Sequence, residues 1–168
     1  PQLSPLLSQW MLPIVSGRGP ILGLHAAADS FRVNGIMRVI GVIPSRYASV
    51  RLPAKPLVEI AGKPLVQWVW EAASRARSLN ELLVATDDER IARVVEAFGG
   101  KAVMTPPECP SGTDRIACAV KDRAADVVVN IQGDEPLMAA ENIDACVEAL
   151  LADADAAVAH GLMLVAEG

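Results

Sequence analysis

Three short apolar runs constrain this chain most: Arg38 to Ile43 (RVIGVI), Glu81 to Ala85 (ELLVA) and Asp126 to Ile131 (DVVVNI). Each is too short for a typical helix, and none alternates apolar with polar residues. A strand without that alternation is buried on both faces, as in a parallel sheet covered by helices on either side. The residues between the runs supply the helices. Pro64 to Arg77 carries apolar residues at 65, 69, 72 and 76, which share one helix face. After the second run, Thr86-Asp87-Asp88-Glu89 has the Thr-x-x-Glu form of a capping box. The helix it opens has Ile91, Val94, Val95 and Phe98 on one face, and Gly99-Gly100 stops it. Lys101 to Met104 reads as a short strand, and Thr105 to Pro110 as a proline-rich loop. Ser111 to Ala124 is a helix that opens on a hydroxyl residue, with Asp114 three places on. Ala139 to Leu151 is a further helix, and Ala156 to Ala159 begins another strand. Strand and helix alternate, which predicts a three-layer α/β/α fold around a mainly parallel sheet.

The composition agrees. The chain is 52% hydrophobic but only 4% aromatic, so its core is built from Val, Ala, Leu and Ile. Its net charge of −5 leaves no basic footprint for nucleic acid and no polybasic patch for an anionic membrane. An anionic substrate must then be met by a few placed cations. The three cysteines, Cys109, Cys118 and Cys146, form no Cys-x-x-Cys pair and read as free thiols in a reducing cytoplasm. The two histidines, His25 and His160, stand too far apart in sequence to suggest a histidine-based zinc site.

Residues 1 to 36 differ from the rest. Prolines at 1, 5, 13 and 20 and glycines at 17, 19 and 23 break any helix or strand of useful length. The apolar stretch from Met11 to Ala28 is interrupted by Pro13, Arg18 and Pro20, so it suits neither a membrane span nor a secretory signal. Met37 is the expected start of the folded unit, residues 37–168. Residues 1–36 are expected to be an unstructured extension or upstream read-through.

In an open parallel sheet, ligands bind beyond the carboxyl ends of the strands. Two loops leave strand ends with unusual residues. Pro44 to Lys55 (PSRYASVRLPAK) gathers Ser45, Arg46, Ser49, Arg51 and Lys55 in an otherwise acidic protein. Guanidinium forks and a mobile ammonium suit phosphate oxygens. The other loop, Gln132-Gly133-Asp134-Glu135-Pro136, places adjacent carboxylates just past a buried strand. Mg²⁺ takes such carboxylate oxygens beside substrate phosphates, and Asp134 lies nearer the strand end. The Walker A pattern is absent, as is Gly-x-Gly-x-x-Gly after the first strand. Ala61-Gly62-Lys63-Pro64 lacks the first glycine of a phosphate loop. There is no Gly-x-Ser-x-Gly elbow either, and no histidine suited to a Ser-His-Asp triad.

Taken in order, these motifs resemble the CMP-Kdo synthetases, the cytidylyltransferases that activate 3-deoxy-D-manno-octulosonate (Kdo). The resemblance rests on PSRYASVRLPAKPL (44–57), IAGKPLVQWVWEAA (60–73), LVATDDERIA (83–92), CPSGTDRIA (109–117) and VVNIQGDEP (128–136), and covers Met37 to about Ala159. It implies a nucleotide-diphospho-sugar transferase-like fold and transfer of CMP from CTP to Kdo, releasing pyrophosphate, for lipopolysaccharide biosynthesis. It further implies that Arg46 and Lys55 hold the triphosphate, with Ser45, Ser49 and Arg51 in the same loop. Ser111, Thr113 and Arg115 would line the nucleotide site, Gln132 would contact the sugar, and Asp134 would hold Mg²⁺. The family works as a homodimer.

The sequence departs from the family pattern in several places. Ser45 stands where the family has Ala, Val50 where it has Ser or Thr, and Ala54 where it has Gly before the lysine. Ala54 is costly if the loop needs a positive φ there. Family chains also continue well beyond this length, into a second metal-binding Asp, much of the Kdo pocket and the dimer surface. His160 to Gly168 fits the pattern poorly, and the expectation is a C-terminally truncated product. Two alternatives remain. One is another sugar nucleotidyltransferase such as a CMP-sialic acid synthetase, whose first loop has Gly-Ser-Lys after the arginine and fits worse. The other is a non-catalytic nucleotide-binding remnant.

Overall fold

A computed structural model describes residues 14–17, 37–48, 52–152 and 158–160. The strands are β1 (Ile14–Gly17), β2 (Val39–Ser45), β3 (Glu59–Ile60), β4 (Lys63–Pro64), β5 (Glu81–Thr86), β6 (Ala102–Met104), β7 (Val127–Asn130) and β8 (Val158–His160). The helices are α1 (Leu65–Ala73), α2 (Glu89–Ala97), α3 (Gly112–Val120) and α4 (Ala140–Ala152), with a 3₁₀ turn at Lys55–Leu57. The main sheet runs β6-β5-β2-β7-β1-β8. Its first four strands are mutually parallel; Val42 of β2 stands opposite Leu83 of β5 on one side and Asn130 of β7 on the other.

Both sheet faces are buried, and residues two apart share a face. Val39 and Ile43 of β2, Leu82 and Val84 of β5, and Val127 and Val129 of β7 join one cluster with Val66 and Val69 of α1, Ile91 and Val95 of α2, and Ile143 and Val147 of α4. Ile40, Val42, Leu83 and Ala85 point the other way, onto Ile116 and Ala119 of α3. Each fully buried valine, such as Val66, contributes about 1.5–3 kcal/mol relative to exposure. This is the expected three-layer arrangement, with α1, α2 and α4 on one face and α3 on the other.

Some boundaries and one cap differ from the sequence reading. Helix α1 ends at Ala73 and α3 at Val120, earlier than expected. Strand β2 runs on through Pro44 to Ser45, because Ser45 pairs in register with Thr86. Thr86 does not cap α2. It is fully buried at the end of β5, and its hydroxyl accepts from the Asp88 N–H at 3.3 Å. Asp88 is the cap, its carboxylate accepting from the Arg90 N–H at 2.9 Å. Ala61 and Gly62 both have positive φ, 49° and 79°, and form the tight turn between β3 and β4, which the sequence reading did not foresee.

One strand falls where no regular structure was expected: β1 pairs antiparallel with both β7 and β8. Apart from β1, residues 1–36 lie outside the described residues. The strand expected from Ala156 is found as β8, at Val158–His160. Cys109, Cys118 and Cys146 are free, as expected, although the Sγ atoms of Cys109 and Cys118 are only 3.6 Å apart. Among the described residues, no helix is long and apolar enough to cross a membrane.

Candidate functional site

Strands β6, β5, β2 and β7 end on the same edge of the sheet, and four loops leave it there: 46–54, 87–88, 105–111 and 131–139. They meet around Pro44 and Ser45. A Cβ placed on Gly133 would stand 3.0 Å from the Pro44 carbonyl oxygen, tighter than nine in ten real Cβ contacts. A side chain there would push the Gln132–Glu135 turn away from the end of β2 by a few tenths of an ångström. A Cβ on Gly112, the first residue of α3, would lie 3.4 Å from Pro44 Cγ. The three motifs therefore pack on one proline.

The cationic loop closes on itself through the Ala54 N–H, which donates to the Tyr47 carbonyl at 2.9 Å. Ala54 itself adopts the left-handed conformation, φ 56° and ψ 24°, and leads into the 3₁₀ turn that starts with Lys55. Lys55 Nζ donates to Asp134 Oδ2 at 2.6 Å, across 79 positions of sequence. The two side chains are 37% and 48% exposed, so the pair faces solvent. Its worth to stability is small. Its meaning is geometric: the expected phosphate-binding lysine and the expected metal-binding carboxylate share one place.

Two orphaned groups belong to the strand end and the acidic turn. Ser45 Oγ and Glu135 Oε2 are buried and have no hydrogen-bond partner. Burial, followed by the charge of Asp134, pushes the Glu135 carboxyl above the usual carboxylate range. Gln132 lies part-buried alongside, its amide donating to Asn130 Oδ1 at 3.3 Å.

Arg46 is exposed at the start of the loop, as a phosphate ligand must be. Ser49, Val50 and Arg51 lie outside the described residues. Thr113 is exposed in the first turn of α3. Three expected ligands sit differently. The side chain of Ser45 is buried, 2% exposed, at the end of β2 rather than out in the loop. The hydroxyl of Ser111 caps α3, accepting from the Asp114 N–H at 3.1 Å and donating to the Asp114 carboxylate at 2.5 Å. Arg115 is 1% exposed. It donates to Asp87 Oδ2 at 2.9 Å and to Thr105 Oγ1 at 2.5 Å, so its guanidinium is occupied inside the protein rather than presented to a ligand. A buried charge needs such partners, because leaving it unpaired costs several kcal/mol.

Asp87 and Thr105, the partners of Arg115, were not foreseen as part of the site. The signal for Asp87 was there: it is the first residue beyond β5, as Arg46 is beyond β2. Thr105 carried the same signal, as the first residue beyond β6, but its bond to Arg115 could not be read from the sequence.

A three-layer fold whose strand ends bring cationic and acidic loops together has the layout of a nucleotide-binding α/β protein. Residues 40–166 match the cytidylyltransferase family, and the chain belongs to it. It is 51% identical over 117 residues to the 3-deoxy-manno-octulosonate cytidylyltransferase of Bdellovibrio bacteriovorus, covering 70% of this chain and 47% of that protein. It is 55% identical over 105 residues to the 8-amino-3,8-dideoxy-manno-octulosonate cytidylyltransferase of Shewanella sp., covering 61% of this chain and 43% of that one. Among solved structures, CMP:2-keto-3-deoxy-manno-octonic acid synthetase complexed with CTP superposes with a TM-score of 0.67 at 43% identity, covering 69% of this chain and 48% of that chain. The chain spans about half the length of the curated relatives it matches.

Proposed function

We propose that this chain carries the CTP-binding part of a cytidylyltransferase that converts CTP and Kdo to CMP-Kdo and pyrophosphate, in the cytoplasm, for lipopolysaccharide biosynthesis. The observation that carries the reading is the 2.6 Å contact between Lys55 and Asp134. It joins the loop suited to phosphate and the loop suited to a cation at the carboxyl edge of the parallel strands, where ligands of this architecture bind. The names of the relatives supply the substrates. One group of relatives is named for an 8-amino-3,8-dideoxy sugar and another for Kdo itself, so the acceptor class is a 3-deoxy-octulosonate.

In the proposed reaction the sugar's anomeric hydroxyl attacks the α-phosphorus of CTP, and the bond to the bridging oxygen of pyrophosphate breaks. Such a transfer depends on positioning and on stabilising phosphate charge. Arg46 and Lys55 hold the triphosphate, with Ser49 and Arg51 assigned to the same loop. Thr113 lines the nucleotide site from α3. Ser111 and Arg115 act from behind, as a cap and as an internal brace. Ser45 contributes through the strand end it occupies, and Gln132 meets the sugar.

The site suits Mg²⁺. Asp134 presents a half-exposed carboxylate at the strand end. Mg²⁺ bound there would take its other oxygens from phosphates and water. When bound, Mg²⁺ neutralises phosphate charge. Asp134 would hold it, releasing Lys55 to the phosphates. The family's homodimer is the assembly proposed for the whole protein.

Incubation of the chain with CTP, Kdo and Mg²⁺ tests the reading by pyrophosphate release. Release that Asp134→Asn abolishes supports it. CTP binding without release would assign this chain the binding step alone. Neither binding nor release by folded protein would overturn the proposal.

A further inference from the structure

Outside the groups already assigned, Asp87 at the carboxyl edge joins two separate elements. Its Oδ1 accepts from the Tyr47 N–H at 3.2 Å, and its Oδ2 accepts from Arg115 Nη2 at 2.9 Å. Tyr47 follows Arg46 in the cationic loop, and Arg115 belongs to α3, whose first turn carries Thr113. One carboxylate thus ties two elements that are assigned to the nucleotide. Its neighbour works on the same tyrosine. Asp88 binds Arg90 with both oxygens, at 2.8 and 2.6 Å, and the Arg90 guanidinium carbon lies 3.5 Å from the centroid of the Tyr47 ring. Stacking of that kind holds a ring in place. The backbone of Tyr47 is therefore fixed by the turn that follows β5, and its ring by the first turn of α2.

We propose that Asp87 is a positioning residue for nucleotide binding, a clamp that sets the cationic loop and the first turn of α3 in register before CTP arrives. The inference rests on the nucleotide reading of those two elements. Asp87 acts through Tyr47 and Arg115 and need not touch the substrate. A loop prearranged in this way loses less freedom when it closes on a ligand, so the clamp favours affinity.

The test compares Asp87→Ala and Arg90→Ala in the full chain by hydrogen exchange and by CTP titration. Asp87→Ala should speed exchange in peptides covering 44–57 and 111–116 while α1 and α4 keep their protection. Arg90→Ala should speed it in 44–57 alone. CTP affinity should fall about 10-fold in Asp87→Ala, the scale of a lost hydrogen bond to a charged group. Unchanged exchange at 44–57 in Asp87→Ala, or equal acceleration throughout the core, would overturn the clamp. If Asp87→Ala does not fold, Asp87→Asn decides. It keeps an oxygen for the Tyr47 N–H but loses the charge facing Arg115, so protection should fall at 111–116 more than at 44–57, and no change at either would overturn the proposal. Should the unsubstituted chain fail to bind CTP, the nucleotide reading fails, while the exchange pattern still decides whether Asp87 clamps the loop.

Discussion

Ala54 sits in the left-handed region at φ 56°, a conformation that costs a non-glycine residue roughly 1–2 kcal/mol. The strain is held in place by the Ala54 N–H bond to the Tyr47 carbonyl and by the 3₁₀ turn beginning at Lys55. Replacing Ala54 by Gly should therefore raise stability by about 1 kcal/mol, read as a higher denaturation midpoint. An unchanged or lower midpoint would show that the loop does not need the positive φ. Glu135 is strained in another way. Burial and the adjacent Asp134 raise its carboxyl above its ordinary value, so the folded state holds the proton more tightly than the unfolded chain does. The sign follows from linkage: the favourable contribution is complete below the unfolded value and is lost as pH rises through the folded one. Glu135→Gln should thus melt higher than the parent at neutral pH, with the gap closing as pH falls towards about 4. A gap that stays constant across that range would contradict the assignment. At this scale the sequence was partly informative. The cost of Ala54 was visible as a departure from the family's glycine. The burial of Ser45 and Arg115 was not, because it depends on which neighbours the fold supplies.

The elements were more legible than their ends. β2, β5 and β7 announced themselves as unbroken apolar runs, and α2 as a clean face of Ile91, Val94 and Val95. The start of α2 was misplaced because Thr86 and Asp88 both precede the helix and both can cap. Pairing of β5 with β2 and β6 extends the strand to Thr86 and leaves the cap to Asp88. The hydrogen bond from Arg90 holds the Asp88 carboxyl down, at about 2. With its folded value below its unfolded one, Asp88 contributes stability above about pH 4 that is lost as pH falls through about 2. Asp88→Ala should cost about 1 kcal/mol at neutral pH. Thermal melts at neutral pH and at about pH 2 check this: the difference from the parent should shrink at the lower pH, and a loss equal at both would remove the cap from the account. β1 was missed because prolines and glycines dominate its surroundings, yet its pairing with β7 comes through backbone groups that no side-chain pattern records.

Over the whole molecule, the site is a product of topology. Lys55 and Asp134 are 79 positions apart and meet because β2 and β7 are adjacent parallel strands whose ends face the same way. Alternating strands and helices placed both loops beyond strand ends, which is why the sequence suggested them together; that β2 and β7 are neighbours, with β5 and β6 lying between them in sequence, came only with the fold. So did the bracing behind them, because Arg115, Asp87 and Thr105 are joined by packing that periodicity does not encode. The central claim is that the loop beginning at Arg46 grips the triphosphate of CTP opposite Asp134. Calorimetric titration of CTP, in the presence of Mg²⁺, into the chain and into folded Arg46→Ala and Lys55→Ala variants tests it most directly. Saturable binding to the parent chain and its loss in both variants are expected; equal affinity in all three would show that this loop does not grip the triphosphate.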